Sequence, residues 1–283
     1  MQRRDFLTGA ISLSAFPHHL FAGTTKKSAS DVIQLGPKKV KVTRLAMGTG
    51  TNGMGGSSNQ TRKLGMSGLS DLLRTAYDNG VAFYDSADQY GTHPYVKEAL
   101  KRIPREKVAI LSKTHANTYN EMKADLARFQ KELGTDYIDV MLLHCMMDPD
   151  WPERKKGAMD YISEAQEKGL IKTKGVSCHT LGALRTSAKT PWVEVQLARI
   201  NPAGAVMDDS PQVVLSVLKE MKAAGKGVIG MKIFGAGKLR HRTDECLQFA
   251  LAQDCVDCFT IGSESVQEFT ELTKKIPAAS VRG

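Results

Sequence analysis

Residues 82–113 read A-F-Y-D-S-A-D-Q-Y-G-T-H-P-Y-V-K-E-A-L-K-R-I-P-R-E-K-V-A-I-L-S-K, and their pattern decides the fold. A short apolar run, Ala82–Asp85, ends on a carboxylate and gives way to a loop. Tyr95–Lys101 then has the spacing of an amphipathic helix, and a second apolar run, Val108–Ser112, ends just before Lys113. Strand, helix, strand is the unit that joins parallel neighbours in one sheet.

The unit recurs in both directions. Further strands are expected at Arg44–Met47, Ile138–Leu143, Thr173–Val176, Val193–Gln196, Val228–Met231 and Cys258–Ile261. Helical patterns stand between them at Ser70–Asn79, Asn120–Leu133, Ala158–Lys168, Leu181–Ala188, Pro211–Ala224, Asp244–Ala252 and Ser265–Lys275. Gly80, Gly134, Gly169 and Gly225 follow helices, where a left-handed C-cap favours glycine. Leu35 to Val42 reads as an extra hairpin strand, broken at Gly36-Pro37. Strands alternating with helices at this number predict a single (β/α)8 TIM barrel over residues 31–283. A doubly wound sheet would place a helix directly after a G-x-G-x-x-G turn. Here the glycines 48, 50, 53, 55 and 56 run on into more loop.

The first thirty residues are a separate object. Arg3-Arg4 precede Phe6-Leu7 and a short, mildly apolar stretch, a pattern similar to a twin-arginine signal peptide. That implies the twin-arginine translocase as a partner and a periplasmic or extracytoplasmic location. The apolar run is too short for a permanent membrane span, and Thr24–Ser30 reads as a linker. The net charge is +9, but Lys and Arg are spread along the chain, which argues against nucleic acid as a partner. Five cysteines, an odd number without a repeated spacing, argue against a disulfide framework. Cys145 and Cys178 beside histidines, and Cys255-x-x-Cys258, read as packing residues, and no metal site is expected.

Barrels of this kind do chemistry at the C-terminal ends of their strands. Asp85 ends the second strand, Tyr90 follows in the same loop, Lys113 ends the third and His144 the fourth. With L-A-M-G-T-G, Y-D-S-A-D-Q-Y-G, L-S-K and L-L-H around them, the chain resembles the aldo-keto reductase family over nearly everything after the signal. The resemblance implies a catalytic tetrad of Asp85, Tyr90, Lys113 and His144 and reduction of aldehydes or ketones to alcohols with NADP, or NAD. The chemistry agrees. Tyr90 would give the proton, with Lys113 pulling its pKa of about 10 towards the working pH. Asp85 would hold Lys113, and His144 would bond the carbonyl oxygen of a small substrate.

The same resemblance assigns cofactor contacts to Gly48 and Thr49 at the first strand, and to Ser177 and Gln196 at the fifth and sixth. Cys178 stands where the family has Asn. It assigns Met231, Lys232, Gly235 and Gly237 to the seventh strand and its loop, and Gly262, Ser263 and Gln267 to the adenosine end. Glu264 would repel a 2′-phosphate and leans this end towards NAD. An alternative is an exported barrel that binds a nucleotide or small ligand without turnover. A metal-dependent hydrolase lacks the necessary His and Asp clusters. The short segment after His144 and the short C-terminus predict an open mouth walled by Trp151 and Met146-Met147.

Overall fold

The computed structural model describes residues 26–280, so the twin-arginine motif lies outside the described residues. An antiparallel hairpin comes first, β1 (Val32–Leu35) with β2 (Val40–Thr43). The expected Leu35–Val42 element is therefore the turn and inner halves of two strands, reversing at Gly36 (φ 62°). Eight strands follow: β3 (Leu45–Gly48), β4 (Phe83–Asp85), β5 (Ala109–Thr114), β6 (Ile138–Met146), β7 (Ile171–Cys178), β8 (Val195–Arg199), β9 (Gly227–Met231) and β10 (Cys258–Ile261). Every neighbouring pair is parallel, and β10 pairs with β3 to close the barrel.

Two apolar layers alternate along the strands. Ala46, Phe83, Leu111, Leu142, Leu197 and Ile229 point into the barrel, where Leu35, Val40 and Val42 of the hairpin join them. The hairpin thus plugs the N-terminal end. Met47, Tyr84, Ile110, Met141 and Leu143 point outward against the helices. Lys27 packs against the outside, its ammonium on the Leu251 carbonyl at 2.6 Å, so ordered contacts reach into the stretch that reads as linker.

The helices are α1 (Asn59–Asp78), α2 (His93–Leu100), α3 (Tyr119–Leu133), α4 (Trp151–Arg154), α5 (Lys156–Glu167), α6 (Leu181–Lys189), α7 (Pro211–Ala223), α8 (Thr243–Leu251) and α9 (Val266–Ser280). α1 begins well before the expected Ser70. Ser58 caps it in a reciprocal box with Thr61, while Gly65 at φ 61° kinks it and breaks the apolar period. The loop after His144 also holds the extra turn α4. Among the described residues no helix is long and apolar enough to cross a membrane.

Candidate active site

Period two along the strands aims the site. Asp85, Lys113 and His144 each stand two residues beyond an inward-facing residue, Phe83, Leu111 and Leu142, at the C-terminal mouth. The ammonium of Lys113 donates to the Asp85 carboxylate and, at 2.8 Å, to the Ser86 carbonyl. Burial opposes charge on Lys113, but Asp85 and Tyr90 outweigh it and hold the pKa above its ordinary value. Lys113 stays an ammonium.

Tyr90 ends the short 3-10 turn Asp88–Tyr90, its ring centroid 4.8 Å from the Lys113 ammonium. Glycine loop 48–56 lies on this ring: a Cβ at Gly50 or Gly53 would fall 2.2 or 2.3 Å from a ring carbon. Burial raises the phenol above its ordinary range, and Lys113 offsets that only in part. The net direction is opposite to the one expected from Lys113 alone, because removal from water weighs more than the nearby charge. Tyr90 consequently keeps its proton and can donate it.

The Tyr90 hydroxyl lies 3.5 Å from Nε2 of His144. Burial, with Lys113, His115, His179 and Lys232 nearby, pushes His144 down to about 2, so the ring is neutral. Its Nδ1 is buried with no partner among the described residues. An orphaned N–H is rarer than an orphaned acceptor, which assigns the single proton to Nε2. His144 can therefore donate to an oxygen placed beside the Tyr90 hydroxyl.

Two adjoining clefts share Phe234, Arg240, Ile261 and Gly262 and form one trench from Tyr90 to Lys275. Gly48, Met231, Lys232, Gly237 and Gly262 line it near the catalytic end, and Gly262 and Ser263 near the other. The Thr260 hydroxyl, buried in its wall, has no partner among the described residues. Near Tyr90 the trench offers this hydroxyl and the basic side chains of Lys232 and Arg240 to an anionic dinucleotide, while Glu268 and Glu271 line its far end beside Lys275. Sequence reasoning missed Thr51, Asn52, Phe234, Arg240 and Thr260, which also line it.

Several assigned contacts point elsewhere. Gln196 lies between inward Val195 and Leu197, so it faces the helices, fully buried, accepting from Ser187 Oγ at 2.6 Å and donating to Leu197 O at 2.9 Å. Leu197 lines the trench in its place. Cys178 faces outward too, its thiol on the Gln196 amide oxygen. Ser177 faces inward, but its hydroxyl accepts from Cys145 N at 2.8 Å. The Thr49 hydroxyl is fully buried against Asp85 O and Thr92. Gly235 is buried under Leu239 beside the trench. Gln267 is exposed on α9 and bonds Glu271 of the same helix at 3.0 Å. Trp151 is 2% exposed and donates to Ala183 O at 3.3 Å, and Met146 is buried. The expected apolar wall therefore reduces to Met147, half exposed.

The fold and site define a barrel with a lysine-backed tyrosine acid at its mouth. Residues 45–277 match the model of the aldo/keto reductase family, and the chain belongs to that family. It is 31% identical over 135 residues to the NAD/NADP-dependent indole-3-acetaldehyde reductase of Schizosaccharomyces pombe, covering 46% of each chain. It is 32% identical over 113 residues to methylglyoxal reductase DkgA of Escherichia coli O157:H7, covering 37% of this chain and 38% of that one. The chain thus spans less than half the length of these relatives. The holo form of aldo-keto reductase AKR11C1 from Bacillus halodurans superposes with a TM-score of 0.72 at 18% identity, covering 87% of this chain and 91% of that one.

Proposed function

We propose that this protein reduces aldehydes or ketones to alcohols with NADPH, or NADH. The observation that carries the reading is the connected set of charged Lys113 on Asp85, protonated Tyr90 over Lys113 and neutral His144 facing the Tyr90 hydroxyl. A barrel kept only for binding would have no need of a buried ion pair under a buried phenol. When bound along the trench, the nicotinamide supplies a hydride to the carbonyl carbon. Gly262 and Ser263 would receive the adenosine end, Lys232 and Arg240 the phosphates, and Met231 the ring face. His144 and Tyr90 orient the carbonyl oxygen, and Tyr90 delivers its proton there. The names of the relatives include both nucleotides and small aldehydes. Titrating the purified protein with NADPH and NADH, then following their oxidation with aldehydes, tests the reading. No oxidation despite tight binding would refute it.

Glu264 bears on the choice of nucleotide. Its carboxylate is buried and engaged by the Lys63 ammonium, by Asn59 Nδ2 at 2.7 Å and by Arg240 at 3.7 Å. Burial opposes its charge, but these partners hold it below the ordinary carboxylate range. Two cations around one carboxylate weaken the expected repulsion of a 2′-phosphate, so NADP fits and NAD remains usable. Glu264→Gln leaves Lys63 and Arg240 uncompensated. It is expected to raise the kcat/KM ratio of NADPH to NADH about tenfold, or about 1.4 kcal/mol. An unchanged ratio would show that Glu264 does not act on this choice.

We also propose export by the twin-arginine route, on the strength of Arg3-Arg4 ahead of Phe6-Leu7. With both arginines replaced by lysine, the precursor should stay in the cytoplasm of a host that exports the parent. Normal export of the double variant would contradict this.

A further inference from the structure

We propose that Gln89 is a positioning residue that sets Tyr90 and His144 relative to one another, through Gly53 on one side and His115 on the other. This rests on the carbonyl-reduction reading above. Gln89 immediately precedes Tyr90 on the 3-10 turn. Its Nε2 donates to the Gly53 carbonyl at 3.1 Å, and its own carbonyl accepts from Gly56 N at 3.0 Å. Those bonds press the glycine loop onto the Tyr90 ring, which only residues without a Cβ at 50 and 53 allow.

The other end of the same amide faces His115. With Nε2 donating to Gly53, Oε1 accepts from His115 Nε2 at 2.6 Å, which puts that ring's proton on Nε2. His115 in turn stacks on His144 with centroids 4.7 Å apart and planes 25° apart. The stack matters because the Nδ1 of His144 has no partner among the described residues. No hydrogen bond there fixes the ring plane, so packing must: His115 flat against one face and Tyr90 edge-on at 5.6 Å. Burial and Lys155 push His115 below its ordinary value, so the two stacked rings do not repel as cations. His115 itself is exposed, and Gln89 is the side chain that keeps it on the stack.

Three variants test this in the full chain. Gln89→Leu and His115→Ala should each lower kcat for reduction about tenfold while leaving KM for the nucleotide unchanged, since a small misplacement of reacting groups costs rate before it costs binding. Their combination should fall no further than Gln89→Leu alone, because His115 is held through Gln89. Independent of turnover, 15N NMR of the histidines should show His115 as a single Nε2–H tautomer in the parent and a mixture in Gln89→Leu, with the His144 resonance shifted. A double variant that falls by the product of the singles overturns the proposal, as does a His144 resonance unmoved by Gln89→Leu. A parent without turnover would refute carbonyl reduction, and the NMR arm would still decide the role of Gln89. Variants that melt like the parent keep the comparison free of folding effects.

Discussion

Tyr90→Phe is expected to lower kcat for carbonyl reduction about a thousandfold, within the span that positioned acids contribute, while leaving the melting temperature nearly unchanged. The hydroxyl meets His144 at a long 3.5 Å and the Lys113 ammonium, which keeps its bonds to Asp85 and Ser86, so loss of the hydroxyl removes little stability. The ring keeps its bed under Gly50 and Gly53 and its face towards Lys113. The pH dependence follows from the same environment. Burial raises the Tyr90 pKa, so the proton needed for reduction is present through the neutral range and is lost as pH rises through the raised value. Alcohol oxidation needs the phenolate and should rise over that same limb. His144 titrates at about 2 and should add no limb between about pH 5 and 8. A profile for reduction that climbs with pH at the alkaline end would contradict the assignment of Tyr90 as the acid.

Lys113→Met should do two separable kinds of damage. Lys113 is 1% exposed and Asp85 7%, so the variant strands a carboxyl group in the barrel without its cation. Removing one partner of such a pair costs about 3 kcal/mol, which for a chain of this size is a fall of about 6–12 °C in melting temperature. Activity should fall at least about a hundredfold, since nothing then offsets the effect of burial on the Tyr90 proton. Adding Asp85→Leu removes the stranded group, so the double variant should regain most of the stability and none of the activity. Recovery of both together would mean that the pair serves folding alone.

The barrel and the grouping of Asp85, Tyr90, Lys113 and His144 at its mouth were legible in the sequence because each carries a strong local sign. Polar residues at the ends of apolar runs, such as Lys113 after A-I-L-S, stand out against their strands. Which way a strand residue faces was harder to read. Parallel strands are buried on both sides and show little alternation, and a shift of one residue reverses every side chain. In V-E-V-Q-L-A-R that ambiguity assigned Gln196 to the mouth where Leu197 stands. Thr49 follows the last residue of β3, and its turn inward to Thr92 had no sequence sign at all. The start of α1 was hidden by Gly65 and Gly68, and the burial of Trp151 by its place in what reads as a plain loop. In the sequence Glu264 stands as a bare charge because Lys63 and Arg240, its neighbours in space, are remote along the chain. Long-range partners of this kind appear only once the barrel closes.

The most direct test is the fate of a label. With NADPH deuterated at both C4 positions and an aldehyde substrate, the protein should form the alcohol with one deuterium on the former carbonyl carbon for each NADPH consumed, and Tyr90→Phe should bind the same nucleotide without forming it. Tight nucleotide binding by the parent protein with no deuterated alcohol formed would contradict the account at its centre.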